Sequence, residues 1–355
     1  LFYFWKSVQW SLGGFTAAGA MGDVLGQQVS KIGLQLGLSL SFSIATVGVV
    51  YFGIQKGIER VARIFLPILF GILLLLLVSA LGMDGSGEAL SFLFRPNFAE
   101  LEPSSVLEAL GHAFFTLSLG MGAMITYGSY LAKDQSIVKA AGWIVLLDTA
   151  IAIVASIIMF SVIFSVAGMR EQVGSSPVGM LFISLPELFY TSVPFGTILA
   201  PLFYVLVAFA ALTSTIAMLE VTVSYVIDEH RLKRSKATML SGAAVFVFTI
   251  CAALSFSDTP FFSTWQIFDI GNPNKMGWFA TMDHFVGNWM LPTGGLAVTL
   301  AAGWFMTREE TEAELVDGTE PAWFKYGAWR FFIRYVAPIA VAAIIIAVML
   351  GVDFA

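Results

Sequence analysis

Ala113-Phe-Phe-Thr-Leu-Ser-Leu-Gly-Met-Gly-Ala-Met124 lies inside a long apolar segment, about residues 106–131, that reads as a membrane span. Its middle carries Thr116, Ser118, Gly120 and Gly122, which favour a break in the helix. Hydrocarbon offers no partner to a freed backbone carbonyl, so a broken span is tolerated where it lines a cavity or binds an ion. The stretch 113–124 therefore reads as a binding site rather than a plain anchor.

The rest of the chain sets that stretch in a membrane protein. It is 58% hydrophobic and 12% charged, with a mean hydropathy of +0.85, against about 25% charged residues in a soluble domain. Segments near the length of about 20 residues that a spanning helix needs fall at 32–54, 57–82, 106–131, 138–167, 195–227, 237–256, 281–307 and 326–351. This predicts an all-α polytopic membrane protein with eight transmembrane helices, the third broken at 113–124. The short alternating segments of a β-barrel are absent from the sequence.

Charge supports the same division. Alternating the spans puts Lys56, Arg60, Arg63, Lys133, Lys139, Arg231, Lys233, Arg234, Lys236, Arg308, Lys325, Arg330 and Arg334 on one side, 13 of the 18 basic residues. The positive-inside rule makes that side cytoplasmic, and 82–105, 168–195 and 257–280 external. A multi-pass protein with its basic loops cytoplasmic follows as the expectation. The single cysteine, Cys251, excludes an internal disulfide or a thiolate metal cluster, and His112, His230 and His284 lie on different segments. There is no His-x-x-x-His, Gly-x-Ser-x-Gly or phosphate-binding loop. The chain is not expected to be an enzyme or to bind nucleic acid. Residues 1–12 read as the tail of a span already under way, with neither an initiator methionine nor a signal peptide, which points to an N-terminal truncation of a single transmembrane domain over 1–355.

Several local features suggest moving parts. In 168–195, Met180, Leu181, Phe182, Leu185, Leu188 and Phe189 recur at helical spacing among Pro177, Pro186 and Pro194, as in a lid-like helix pair or in a loop helix packed on the bundle. Pro67, ten residues after Gly57, marks a hinge or a static kink. Pro292, Gly294 and Gly295 are expected to break the 281–307 span.

Oxygen ligands gather in the spans. Asp148 stands mid-span, where a lone charge is costly; pairing with a cation is the sharper reading, a protonated acid holding helices together the other. Ala210, Thr213 and Ser214, at i, i+3 and i+4, share a helix face that suits either close helix packing or an ion. Glu220, seven residues after Thr213, adds a second buried acid and favours function. Hydroxyls, carbonyls and carboxylates without soft ligands suit a hard cation such as sodium. Asp283, at an external helix start, is an external gate or a helix-dipole partner.

With these residues in view, the chain resembles the neurotransmitter:sodium symporters, in their bacterial amino-acid-transporting form. Lys56-Gly-Ile-Glu-Arg60 followed by Pro67 is similar to the start of the family's fifth span, and Ala113–Tyr130 to its broken sixth. Ala210-Ala-Leu-Thr-Ser-Thr-Ile-Ala217 is similar to the eighth, and Asp283, Asn288 and Leu291-Pro-Thr-Gly-Gly295 to the tenth. The resemblance makes the eight segments spans 4 to 11 of the inverted-repeat symporter fold, with the first three largely missing. Those would supply further sodium ligands, the substrate carboxylate site, a gate arginine and a tyrosine over the substrate.

The resemblance further implies bound and co-transported Na+, with Thr116 and Asp148 at one sodium site and Ala210 (through its carbonyl), Thr213 and Ser214 at the second. It implies a substrate pocket of Phe115, Ser118, Met121, Ser214 and Met218, an external gate acid at Asp283, and a cytoplasmic gate including Asp228 and Tyr130. Three positions depart from the pattern. Asp148 replaces a common asparagine, Ala152 replaces an acid or serine, and His112 replaces a glutamine near the external mouth. Asp148 can supply the fixed negative charge that chloride supplies elsewhere, so chloride is not expected to be required. The expected function is sodium-coupled symport of a small hydrophobic amino acid across the lipid bilayer by alternating access. The alternatives are a truncated, non-transporting binding or sensor protein, or an ion channel.

Overall fold

The structure, a computed structural model, describes residues 1–98, 101, 103–132, 134–165, 177–257, 259–266, 277–316 and 320–351. The expected Lys133 and the loop segments 168–176 and 267–276 lie outside the described residues. Every regular element among the described residues is helical. In chain order these are α1 (Phe2–Gly13), α2 (Met21–Ser30), α3 (Ile32–Tyr51), α4 (Ile54–Leu81) and α5 (Ser86–Phe94). There follow α6 (Pro103–Thr116), α7 (Ala123–Gly128), α8 (Ile137–Phe164), α9 (Met180–Thr191) and α10 (Gly196–His230). The last are α11 (Arg234–Ser255), α12 (Pro260–Thr264), α13 (Trp278–Phe305), α14 (Arg308–Leu315) and α15 (Tyr326–Met349).

Six of these helices, α3, α4, α8, α10, α11 and α15, are long and apolar enough to cross a membrane. A seventh span is α13, which bends by 108° into the polar α14. The eighth expected span is α6 with α7, whose 14 and 6 residues each fall short of the ~20 that a continuous span needs. The break thus hides a span from any count based on unbroken helices.

The chain divides into two compact units, Leu1–Asn97 with Ile151–Thr259, and Phe98–Ala150 with Pro260–Ala355. The first unit is held by a core of Tyr3, Trp10, Leu76, Leu188, Phe203 and Tyr204. Here α9 is a packed helix rather than a free lid. Leu185, Leu188 and Phe189 are buried, the Tyr190 hydroxyl donates to the Ser7 carbonyl at 2.7 Å, and the Tyr204 hydroxyl donates to the Leu181 carbonyl at 2.9 Å. A second cluster, Val50, Ile216, Leu219, Val223 and Ala237, joins α3, α10 and α11. At its edge Arg234 binds both carboxylate oxygens of the fully buried Glu220 and donates from Nε to the Val50 carbonyl at 3.0 Å. Glu220 is therefore the anion of a buried bidentate pair, not an acid of the Thr213 face.

Five helical stretches widen into π turns among the described residues: Ile54–Glu59, Met180–Ser184, Phe285–Met290, Ala301–Phe305 and Phe332–Val336. Three of them end two residues before a proline, at Pro186, Pro292 and Pro338. Proline has no N–H and its ring crowds the carbonyl four residues back, so a widened turn there relieves the clash without ending the helix. This corrects the expectation for 281–307: Pro292 does not break the span, because the turn before it opens. Pro338 frees the carbonyl of Arg334, which accepts the Trp304 indole N–H at 2.9 Å. At α14, Thr307 and Glu310 form a reciprocal capping box, and the backbone and side-chain bonds from Thr307 hold the Glu310 carboxyl below its usual range.

Candidate functional site

The second unit contains the predicted break. Leu117, Ser118 and Leu119 still donate back to Ala113, Phe115 and Phe114 at 3.1, 3.0 and 2.9 Å. The chain then turns through positive φ at Ser118 (54°), Gly120 (80°) and Gly122 (83°), and α7 resumes with Thr126 donating to the Gly122 carbonyl at 2.9 Å. The N–H groups of Gly120, Met121 and Gly122, and the carbonyls of Ser118, Leu119 and Gly120, make no hydrogen bond to described residues. Unpaired backbone in the middle of a span is tolerated where it is buried in protein or lines a cavity, and Ser118, Leu119, Gly120 and Gly122 line one.

Glycine fixes how this segment sits on α13. A Cβ on Gly120 would lie 2.1 Å from the Leu291 carbonyl oxygen, and one on Gly294 would lie 2.2 Å from the Gly120 carbonyl oxygen. A Cβ on Gly295 would strike the Phe114 ring at 2.3 Å. Backbone meets backbone here, one turn beyond the π turn and Pro292. The sequence reading took Gly294 and Gly295 for helix breakers; they are contact surfaces. The signal was present in Leu291-Pro-Thr-Gly-Gly295, a pair of residues without side chains opposite another glycine pair.

The predicted site residues fall into two groups. Phe115, Thr116, Ser118 and Met121 lie on or beside the break, Phe115 being 61% exposed and the other three half-buried. Asp148, also in the second unit, is half-buried on α8 and makes no hydrogen bond or ion pair with a described residue. No direct bond links Asp148 to Thr116, whose hydroxyl points back to the Ala113 carbonyl at 3.5 Å.

The other group belongs to the first unit, on α10. The Thr213 hydroxyl donates to the Ala210 carbonyl at 2.8 Å, so the two oxygens named as ligands of one ion converge on one helix face. Ser214 is exposed beside them. Met218, 49% exposed, lines a cavity of about 580 Å³ together with Thr46 and Thr215, whose hydroxyls bond at 3.0 Å. Of the gate residues, Asp283 is exposed in the first turns of α13 and Asp228 is exposed near the end of α10. Tyr130 sets its ring edge toward Tyr127 at 6.3 Å. Beside Asp283, the buried Asn288 amide meets His284 Nδ1 at 2.9 Å, a contact that sequence reasoning missed although the i, i+4 spacing displays it.

The sequence profile of the sodium:neurotransmitter symporter family matches residues 21–353. The uncharacterized sodium-dependent transporter YhdH of Bacillus subtilis (strain 168) is 35% identical over 344 residues, covering 96% of this chain and 72% of YhdH. An uncharacterized sodium-dependent transporter of Haemophilus influenzae is 27% identical over 308 residues, 87% of this chain and 64% of that protein. Among solved structures, MhsT in complex with L-phenylalanine matches with a TM-score of 0.82 and 33% identity, over 98% of this chain and 75% of MhsT.

Proposed function

The chain belongs to the sodium:neurotransmitter symporter family, a multi-pass membrane family, and from that premise we propose that it couples inward sodium movement to uptake of a small apolar amino acid by alternating access. The observation that carries the reading is the unpaired backbone of Ser118–Gly122 in mid-span. Its freed N–H and carbonyl groups suit the amino and carboxyl groups of a zwitterion, and Phe115 and Met121 beside the break suit an apolar side chain, methionine adapting its shape to the guest. That MhsT was solved with L-phenylalanine supports an apolar substrate.

Sodium takes oxygen ligands at two places in this proposal: Thr116 with Asp148, and the Ala210 carbonyl with Thr213 and Ser214. Each inward sodium charge gains about 2.3 kcal/mol per 100 mV of inside-negative potential, enough to drive uphill uptake. The membrane is a bacterial-type plasma membrane, in keeping with the bacterial relatives, with the basic loops cytoplasmic as the charge segregation suggests. Asp148 supplies a resident negative charge, so chloride is dispensable.

The test is uptake of labelled L-phenylalanine and L-leucine into proteoliposomes. A sodium gradient is expected to drive accumulation, and equal uptake with potassium in place of sodium would overturn the proposal. Replacing chloride by gluconate is expected to leave uptake unchanged; its loss would remove the role given to Asp148. Thr213→Ala deletes one ion ligand and is expected to raise the half-saturating sodium concentration about tenfold, the scale of one lost hydrogen-bond-strength contact to a charge. An unaltered sodium titration would take Thr213 out of the ion site.

A further inference from the structure

Where α13 ends and α15 begins, the second unit carries two arginines that no carboxylate answers. Arg334 lies with its guanidinium carbon 4.3 Å from the centroid of the Trp304 ring and 5.8 Å from that of Tyr335. Its guanidinium makes no hydrogen bond or ion pair with a described residue, and its Nε is buried without a partner. Among the described residues, it is the only charged group with such an orphaned buried atom; the others are hydroxyls. Arg330, one turn earlier, donates from Nη1 to Thr311 Oγ1 at 2.9 Å and to the Tyr326 hydroxyl at 3.3 Å, both neutral.

Two carboxylates of α14 are engaged elsewhere. Glu312 pairs with Arg308 at 3.0 Å, and Glu310 is turned to the Thr307 cap. An arginine is always charged, and a buried, unpaired charged donor is far more costly than a paired one. Arg334 is such a group and Arg330 has only neutral partners, and Trp304, Tyr326, Trp329 and Tyr335 near them are the residue types that aromatic belts place at the headgroup layer. An oxyanion there would accept from both guanidiniums in the forked geometry that arginine and phosphate share.

We propose that Arg330 and Arg334, floored by Trp304, form a binding site for the phosphate of an anionic membrane phospholipid. The phosphate oxygens complete the donors of Arg334, and the acyl chains follow the exposed apolar face of α15, on which Phe332, Val336 and Ile339 are 58%, 39% and 70% exposed.

The experiment is native mass spectrometry of the protein extracted from vesicles of phosphatidylcholine doped with phosphatidylglycerol. Retained phosphatidylglycerol adducts are expected. Arg330→Gln and Arg334→Gln are each expected to lower retention about fivefold, while Arg63→Gln, an exposed arginine paired with Glu59, leaves it unchanged. Arg334→Lys keeps the charge and is expected to retain the lipid more than Arg334→Gln does. Should Arg334→Gln not fold, Arg330→Gln alone decides. Equal retention of phosphatidylcholine, undiminished phosphatidylglycerol in the folded glutamine variants, or displacement of the lipid by inorganic phosphate at equal concentration would each overturn the proposal.

Discussion

Gly120→Ala is expected to abolish sodium-driven uptake. A methyl group at this position would sit 2.1 Å from the Leu291 carbonyl oxygen, which is backbone and cannot swing aside. The residue also holds φ at 80°, where a side chain costs about 1–2 kcal/mol before any clash. The break must then lift off α13, and the unpaired groups at Ser118–Gly122 lose their fixed directions. Gly294→Ala meets the same wall from the other side, 2.2 Å from the Gly120 carbonyl oxygen, and is expected to give the same phenotype. Gly71→Ala, within α4 and with open space around it, is the control and is expected to transport normally. Uptake in proteoliposomes, with surface expression measured in parallel, checks the series; normal transport by both Gly120→Ala and Gly294→Ala would show the contact to be dispensable.

The second large effect is expected at the corner between α10 and α11. Glu220 is fully buried and Arg234 reaches both of its oxygens and the Val50 carbonyl. Removing one partner of such a pair leaves an uncompensated buried charge, at a cost of about 3–5 kcal/mol. Arg234→Met should therefore lower unfolding stability by that amount in detergent. The double change Glu220→Leu with Arg234→Met should recover most of it, because an apolar pair of similar volume carries no desolvation penalty. If Arg234→Met unfolds like the parent protein, the pair holds nothing together.

The sequence made some of this legible and left the rest obscure for physical reasons. Hydropathy located the spans because a bilayer imposes one length on every helix, and Thr116, Ser118, Gly120 and Gly122 disclosed the break because each weakens a helix by its own chemistry. The role of Glu220 was misread. Its spacing from Thr213 suggested a shared face, but its partner, Arg234, lies beyond the turn that follows α10, and only folding brings the two together. Gly294 and Gly295 were read for what glycine does to its own helix, whereas their use is what they permit in a neighbour. The packing of α9 depends on Tyr190 reaching Ser7, 183 residues away, a separation that no local pattern reports. The positions of Thr116 and Asp148 follow from the elements that bear them, but the direction of their polar atoms does not follow from sequence.

The opened turn at Phe285–Met290 has a further effect, on counting. Each α-helical residue advances the side-chain direction by about 100°, from 3.6 residues per turn, and a π turn accommodates about one residue more. Everything after Met290 is therefore out of phase with everything before Phe285 by about a third of a rotation. Asp283 and Gly294, eleven residues apart, would nearly share a face on an uninterrupted helix; here the extra residue turns the acid and the glycine toward different surroundings. Substitutions along 285–290 would leave that offset standing. The loss of a single residue there would close the turn and still leave Gly294 facing the same backbone, because ten residues at about 100° each reproduce the present offset.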